Sequence, residues 1–400
     1  MKEINDRQNN IILLFSFLIF PFFSLPIVFR MAKKGSLFAL ILWSLFLSVF
    51  GFLMFPSHDV IQHWFYYDLF SYSNIDTYLV AWKHDFLLTF FQYYFAKFHV
   101  EFQYIVFLFI FFGSCCNLYV YQRLISEKKY INNSIIFIIF FGIFPLFSII
   151  SGLRNGLAIE FVFIGAYLLL LEKKILYSFL FFLLGCCTHF SVLFSVILIV
   201  VIYFVPKSFK IQKKNVLPII IISSLIILLS MDLIFHYIGE STNFVDKVES
   251  YSNSGDMDYI EQKSFKWQVL YQLRKCIFII YVFLFVRAYK STKLDVLVII
   301  LISVVIGTIN YTIINNRFLA LTICFIGLSI VVNASYNSSY FILKKFATTL
   351  MISLFMFLVQ SYSKFLMAPK LGELFYLPYP VLISKPYTNE EYRRIYNQTN

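Results

Sequence analysis

The chain has 400 residues, 60% of them hydrophobic, and a formal net charge of +12 at pH 7. A water-soluble core in a chain of this length does not need that much apolar surface, so the composition excludes an ordinary soluble protein. The basic residues lie in short clusters between apolar segments, as in the cytoplasmic loops of membrane proteins, and this argues against nucleic acid as a partner.

Apolar segments near the length of a bilayer crossing recur along the whole chain. A spanning helix needs about 20 apolar residues, so the pattern predicts an all-α fold, a polytopic membrane helical bundle of roughly 11 to 14 transmembrane or re-entrant helices. The predicted segments, in chain order, are 11–29, 36–55, 86–98, 102–121, 133–150, 155–171, 175–188, 190–205, 216–235, 267–287, 294–313, 317–333 and 346–363. Segment 86–98 is short for a crossing, so we predict a re-entrant or interfacial helix there.

Clusters of Lys and Arg set the predicted orientation. They occur at 30–34, 123–129, 173–174, 207–214, 287–293 and 344–345. The positive-inside rule places these clusters in the cytoplasm. The polar, aromatic and acidic stretches 56–101 and 236–266 and the tail 364–400 then lie on the outer side. We therefore predict one integral-membrane domain over residues 1–400, with its chemistry at the outer face.

Residues 151–156 read Ser-Gly-Leu-Arg-Asn-Gly and join two predicted spans at the outer face. Gly152 and Gly156 allow a tight turn and a close approach of backbones. Arg154 is a permanent cation at the start of the next helix, where free N–H groups and the helix dipole already favour anions. The guanidinium binds phosphate through two parallel hydrogen bonds, so a phosphate or diphosphate site is predicted. An Arg that only reaches the membrane interface is the alternative.

Three more cationic or titratable side chains stand at or near the ends of predicted spans. His189 lies between two short apolar segments on the same predicted face, where it could act as a general acid or base or hold a phosphate. A histidine that is only hydrogen-bonded within the bundle is the alternative. Arg317 opens a span at the outer face, and Arg274 lies about two turns inside another. Arg274 must therefore face a cavity or a counter-charge, as a functional group or in a structural ion pair.

The stretch 56–85 combines aromatic side chains with carboxylates and histidines. Its candidate site residues are His58, Asp59, Tyr66, Trp82 and Asp85. Aromatic rings stack on the apolar faces of sugars and carboxylates accept bonds from hydroxyls, so a sugar site is predicted. An interfacial aromatic belt would explain the Trp and Tyr residues but not the carboxylates. A metal site formed by His58, Asp59 and His63 is disfavoured because their spacing is unconvincing, so we predict no metal.

The order of several short motifs resembles that of the EpsG-like and Wzy-type polysaccharide polymerases. The motifs are His-Asp at 58–59, Lys-His-Asp-Phe at 83–86, Ser-Gly-Leu-Arg-Asn-Gly-Leu-Ala at 151–158, Glu-Lys-Lys at 172–174, His-Phe-Ser at 189–191 and Asn-Arg-Phe at 316–318. Together they cover most of the chain. Each is short, and the resemblance rests on their order and on their predicted placement at one face.

The resemblance implies a multi-pass enzyme of the bacterial cytoplasmic membrane with a periplasmic or extracellular active face. Such glycosyltransferase-type polymerases join oligosaccharide repeat units carried on undecaprenyl diphosphate into O-antigen, capsule or exopolysaccharide. They use no nucleotide sugar and no required metal, so no cofactor is expected. Besides the lipid-linked substrate and membrane lipid, a chain-length regulator and the flippase are the implied partners.

The resemblance also implies roles for the candidate residues. Arg154 and Arg317, with Arg274, would hold the diphosphate and neutralise its charge as it leaves. His58, Tyr66 and Trp82 keep the role predicted above from the residue types, contact with sugar. The residue that positions or deprotonates the acceptor hydroxyl would be one of His189, Asp59 and Asp85.

Two other functions remain open at this point. A flippase for lipid-linked oligosaccharides, which is a transporter, would show two related halves with matched Gly or Pro breaks, and the sequence contains no internal repeat. An O-antigen ligase or another glycosyltransferase that uses lipid-linked sugars tends to carry a larger outer loop than the one at 236–266. A membrane protein without activity would not need Arg154, Arg274 and Arg317 near one side.

Overall fold

The structure, a computed structural model, is all-helical over the residues it describes. These are 2–54, 56, 58–72, 85–127, 132–206, 208–241, 265–334, 340–360 and 368–399. Over them the chain forms 18 α-helices and no β-strand. The predicted all-α class is therefore confirmed.

The helices are numbered in chain order. The first ten are α1 (Lys2–Ile19), α2 (Pro21–Ala32), α3 (Leu37–Leu53), α4 (His58–Tyr72), α5 (Phe86–Lys97), α6 (Gln103–Glu127), α7 (Asn133–Ile143), α8 (Leu146–Gly152), α9 (Arg154–Leu170) and α10 (Ile175–Thr188). The others are α11 (Leu193–Phe204), α12 (Val216–Ser241), α13 (Phe265–Ala288), α14 (Lys293–Gly307), α15 (Thr312–Asn333), α16 (Tyr340–Gln360), α17 (Tyr379–Ile383) and α18 (Asn389–Thr399). Short 3₁₀ segments cover Phe190–Val192, Lys213–Asn215 and Pro369–Phe375.

Among the described residues, five stretches are long and apolar enough to cross a membrane. They are Gln103–Glu127, Asn133–Gly152, Lys213–Ser230, Ile314–Asn333 and Tyr340–Val359. Shorter apolar helices accompany them, among them α2, α3 and α10. The chain is therefore a membrane protein with several helices of spanning length and composition.

Proline divides two of the predicted spans. Segment 11–29 is split between α1 and α2, with Pro21 as the first residue of α2. Segment 133–150 is split between α7 and α8 at Pro145. Proline has no N–H to donate and its ring collides with the preceding turn, so a new helix starts beside it.

The chain forms two compact units. The first comprises Met1–Phe140, Phe144–Val196 and Ser361–Asn400, and the second comprises Phe141–Ile143 and Ile197–Gln360. In the first unit α9 packs against α6 and α10, while α4 packs against α5 and α8. In the second unit α14 packs against α12 and α15, and α13 packs against α15 and α16.

The polar stretch 56–85 contains a helix that the sequence analysis did not predict. The buried side chains of α4 are Val60, Ile61, Trp64, Tyr67 and Phe70. They recur every three or four positions, so they cover one face of the helix. The polar residues between them interrupt this pattern, so the stretch resembles a loop in the sequence.

The C-terminal tail packs against α4. Trp64 Nε1 donates to Asn389 Oδ1 at 3.3 Å, and the Trp64 ring stacks on Tyr392 with centroids 5.8 Å apart. Arg393 pairs with Asp68 at 2.8 Å at the end of the same contact. The tail therefore holds α4 from one side.

In the second unit a buried carboxylate joins α14 to α15. Asp295 is fully buried in the first turn of α14. Its Oδ2 accepts the backbone N–H groups of Lys290 and Thr292 at 3.1 and 2.9 Å. Its Oδ1 accepts from Ser329 Oγ at 2.6 Å and from Asn333 Nδ2 at 2.8 Å. These four donors close the start of α14 and attach it to α15.

Candidate functional site

Three helix ends in the first unit bring Asp85, Arg154 and His189 into direct contact. The Asp85 carboxylate uses one oxygen for each partner. Its Oδ2 accepts from the Arg154 guanidinium, and its Oδ1 lies 3.0 Å from His189 Nδ1. Residues separated by 69 and 104 positions in the chain thus form one cluster, which we call the ion cluster.

Each member of the ion cluster lies at a helix boundary. Asp85 directly precedes α5, Arg154 is the first residue of α9, and His189 directly follows α10. Helix ends leave backbone groups unpaired and expose side chains that the middle of an apolar helix would bury. Polar residues at the ends of apolar segments can therefore meet at one end of a bundle.

The turn before Arg154 depends on Leu153 and Gly156. Leu153 takes a φ of 48°, a left-handed conformation that a branched side chain rarely adopts. A β-carbon at Gly156 would lie 2.7 Å from the backbone nitrogen of Ile149, so only glycine lets α9 approach α8 this closely. At Gly152 an added β-carbon would meet nothing within 4 Å. The predicted close approach is confirmed at Gly156, whereas the sharp turn falls on Leu153 and not on Gly152.

The electrostatics of the ion cluster keep Asp85 ionised. Burial alone would raise the pKa of the Asp85 carboxyl, but the hydrogen bond with His189 and the charge of Arg154 outweigh burial and hold the pKa below its ordinary value. An ionised carboxylate only accepts hydrogen bonds, so His189 carries its proton on Nδ1. The other ring nitrogen, Nε2, is then the basic one.

Arg154 is the most accessible member of the ion cluster. Its side chain is 35% exposed, against 12% for Asp85 and 10% for His189. A guanidinium has five N–H donors, and the Asp85 carboxylate accepts through a single oxygen. Arg154 can therefore bind an anion while it stays paired with Asp85.

His63 on α4 lies beside the ion cluster, although from the sequence it was a candidate only as a metal ligand. Burial lowers the pKa of its imidazole to about 4, and the charge of Arg154 acts in the same direction. The negative charge of Asp85 opposes this shift, and His189 adds to it. His63 is therefore neutral at physiological pH. Helical spacing from Val60 and Tyr67 was the signal that could have placed it on the inner side of α4.

An apolar cleft of about 880 Å³ runs along the helices near the ion cluster. Its lining starts near the cluster with Leu87 of α5 and Leu184 of α10, and it reaches Lys174 at the other end. The residues from Lys174 to Leu184 rise about 15 Å along the helix. The cleft is therefore an elongated, open apolar groove, and its lining residues Leu87 and Leu184 lie two and five positions along the chain from Asp85 and His189 of the ion cluster.

A second group of charges lies at the opposite end of α9 from Arg154. Arg123 Nε donates to Glu172 Oε1 at 2.9 Å, and Lys174 Nζ lies 2.5 Å from Glu172 Oε2. Both basic residues belong to clusters that the sequence analysis placed in the cytoplasm. Because α9 has 17 residues, the two charged groups are about 25 Å apart along it.

The structure describes the other candidates of the first unit only in part. Tyr66 lies on α4 and is 52% exposed. His58 and Asp59 begin α4, but their side chains lie outside the described part of the structure, as does all of Trp82. Among the described residues, no three His, Cys, Asp or Glu side chains are grouped so that they could hold a metal ion.

Arg274 and Arg317 belong to the second unit. Arg274 lies in the third turn of α13 and is exposed. Arg317 was expected to open its helix, but α15 begins at Thr312 because the helix includes the polar residues before Arg317. Arg317 therefore lies in the second turn and is partly buried. Both side chains interact with neighbouring residues.

These helices and the charged site define a multi-pass, all-α membrane protein. The model of the EpsG family matches residues 40–381, most of the chain. The chain belongs to the EpsG family, and this makes it a membrane protein of polysaccharide biosynthesis. The match confirms the resemblance noted in the sequence. No curated protein and no solved structure matches the chain.

Proposed function

We propose that this protein is a polymerase that joins oligosaccharide repeat units carried on undecaprenyl diphosphate, at the outer face of the bacterial cytoplasmic membrane. The observation that carries the proposal is the ion cluster near one end of an elongated apolar cleft. A lipid diphosphate would match this arrangement, because its charged head suits the ion cluster and its hydrocarbon chain suits the cleft. The product would be O-antigen, capsule or exopolysaccharide.

Arg154 is the proposed binding residue for the diphosphate. Its guanidinium is accessible. Arg154 also begins α9, and the N–H groups and positive dipole end at a helix start favour an anion. The hydrocarbon chain would enter the cleft past Leu87 and Leu184. As the leaving diphosphate gains charge, Arg154 stabilises it.

His189 is the proposed general base, and Asp85 positions it. Nε2 of His189 takes the proton from the acceptor hydroxyl, and the hydroxyl oxygen bonds to the anomeric carbon of the donor chain. The bond from that carbon to the lipid diphosphate breaks, and its electron pair goes to the diphosphate oxygen. Asp85 accepts the hydrogen bond from Nδ1–H and, by staying ionised, stabilises the imidazolium that forms. Its lowered pKa makes Asp85 itself a poor base.

The remaining assignments stay proposals. Tyr66 is exposed on α4, which suits stacking on a sugar ring. The role in diphosphate binding that the family resemblance implies for Arg274 and Arg317 also stays a proposal, as does the sugar contact of Trp82, His58 and Asp59. Chain-length regulators and the flippase are the proposed partners.

Deletion of the gene in its own host, followed by complementation, tests the proposal. Wild type, Arg154→Ala, His189→Ala and Arg123→Ala would be produced at matched levels, and surface polysaccharide would be separated on a gel. Arg123→Ala is the matched control, because Arg123 is also 35% exposed and also paired with a carboxylate. We expect a single-unit product after deletion, with a ladder restored by wild type and Arg123→Ala but not by the other two variants.

Other outcomes identify the competing functions. Loss of even the single-unit product, with lipid-linked units retained on the cytoplasmic side, indicates a flippase. Full-length polymer that stays on its lipid carrier indicates a ligase. A ladder restored by Arg154→Ala contradicts the proposed role of the ion cluster.

A further inference from the structure

His63 is held in a defined position beside the ion cluster. Its helix, α4, packs against α5, which begins after Asp85, and against α8, which ends before Arg154. The backbone oxygen of His63 accepts a hydrogen bond from the buried Gln92 Nε2 at 2.7 Å, which ties α4 to α5. On its other side α4 is held by stacking of Trp64 on the C-terminal tail. The backbone of α4 at His63 is therefore fixed from both sides.

The His63 ring lies close enough to charged groups to feel their electrostatic influence, but it forms no hydrogen bond with them. Among the side chains that the structure describes, none is hydrogen-bonded to either ring nitrogen of His63. The charged and titratable groups around it are Arg154, Asp85 and His189. A partly buried ring with an available donor and an available acceptor is well placed to meet a ligand.

We propose that His63 binds the acceptor sugar of the lipid-linked unit, by a hydrogen bond between its neutral imidazole and a sugar hydroxyl beside the ion cluster. This inference rests on the proposed function. A neutral imidazole offers one donor and one acceptor, as a hydroxyl does. The diphosphate, in contrast, is an acceptor only and is matched by Arg154.

The lowered pKa of His63 supports this division of roles. A histidine whose pKa is about 4 is a poor proton acceptor at pH 7, so proton transfer belongs to His189. Because His63 stays neutral, it adds no second cation beside Arg154. Its loss should weaken use of the acceptor without changing the pH profile of the reaction between pH 6 and pH 8.

The test compares His63→Gln with His63→Phe in the purified full-length protein. Gln keeps a donor and an acceptor, whereas Phe fills a similar volume without either. The substrate would be lipid-linked oligosaccharide extracted from the host that lacks the gene, and polymer length would be followed at several substrate concentrations and pH values. Thermal unfolding of each variant confirms that it is folded.

We expect KM for the extracted substrate to rise roughly tenfold in His63→Phe, with a smaller rise in His63→Gln and an unchanged pH profile in both. Equal effects of the two substitutions, or wild-type kinetics in both, overturn the assignment of His63. A shifted pH profile also overturns it, since His63 would then carry a proton. If the wild type leaves the extracted units unjoined, the proposed function itself fails, and this inference fails with it.

Discussion

Two aspartates, one in each unit, make the clearest comparison in this protein. Asp85 is bonded to two side chains that carry or accept charge, Arg154 and His189. Asp295 is bonded to two backbone N–H groups and to the neutral side chains of Ser329 and Asn333. Both carboxylates use both oxygens, so the number of bonds does not separate them.

The partners separate the two aspartates. The donors around Asp295 are neutral, buried and fixed by the start of α14 and by α15, so that network stabilises the fold. Around Asp85, one partner is partly exposed and the other can change protonation state. Those properties allow exchange with a ligand or a proton. A buried carboxylate therefore indicates a functional site only when its partners can respond to a substrate.

The same substitution should reduce activity at Asp85 and stability at Asp295. The largest effect is expected on activity, at Asp85. Asp85→Asn places an amide beside the Nδ1 proton of His189 and removes the charge that Arg154 pairs with, so polymerisation should decrease roughly 100-fold or more. Yield and melting temperature should stay near wild type because Arg154 can be solvated. The rate of polymerisation is measured by separating on a gel the polymer formed from extracted lipid-linked units. A variant that polymerises normally would remove Asp85 from the site.

Asp295→Asn should reduce stability and leave activity per folded molecule unchanged. An asparagine has one acceptor oxygen where Asp295 has two, so one pair of donors, either the two backbone N–H groups or the side chains of Ser329 and Asn333, faces an NH₂ group instead of an oxygen in a buried position. We expect the free energy of unfolding to decrease by about 3 kcal/mol. Denaturant unfolding in detergent measures it, with Asp85→Asn as the reference. Equal stability losses in the two variants would show that the comparison is wrong.

Acidification should lower the free energy of unfolding of the protein through His63. Its pKa is about 4 in the folded protein, against 6.5 for the ordinary group. Below pH 6.5 the unfolded chain takes up a proton that the folded protein does not, so stability decreases as the pH falls toward 4. Between pH 7 and pH 5 this amounts to about 2 kcal/mol. His63→Gln should lack this part of the pH dependence, and equal pH slopes in unfolding experiments would contradict the shift.

Gly156→Ala should disturb the ion cluster by a smaller amount. The added methyl group would lie 2.7 Å from the backbone nitrogen of Ile149, so α9 must shift away from α8 and carry Arg154 with it. We expect a loss of about 1 kcal/mol in stability, together with reduced polymerisation. Gly152→Ala is the matched control, because an added β-carbon there meets nothing within 4 Å. Equal stability and equal polymerisation in the two variants would mean that the ion cluster does not need the close approach of α9 to α8.

Much of the fold could be predicted from the sequence because lipid imposes a simple requirement. Backbone groups in hydrocarbon must be paired within the segment, so long apolar segments become helices. Segment 175–188 matched α10 at both ends, and segment 155–171 matched α9 within one residue. Helix α4 was not predicted because polar residues lie between its buried ones. The buried residues form one face only when they are placed at helical spacing.

The sequence alone determined the membrane class, the family motifs and the chemical types in the candidate site, since these depend on composition and local order. It also marked Asp85, Arg154 and His189 as polar residues at segment ends. Only the tertiary structure decided that Asp85 is shared between Arg154 and His189, that His63 joins them from α4, and that Asp295 is held by neutral donors. Those facts depend on which helix ends meet. Packing between residues far apart in the chain determines which ends meet, and no local sequence pattern records it.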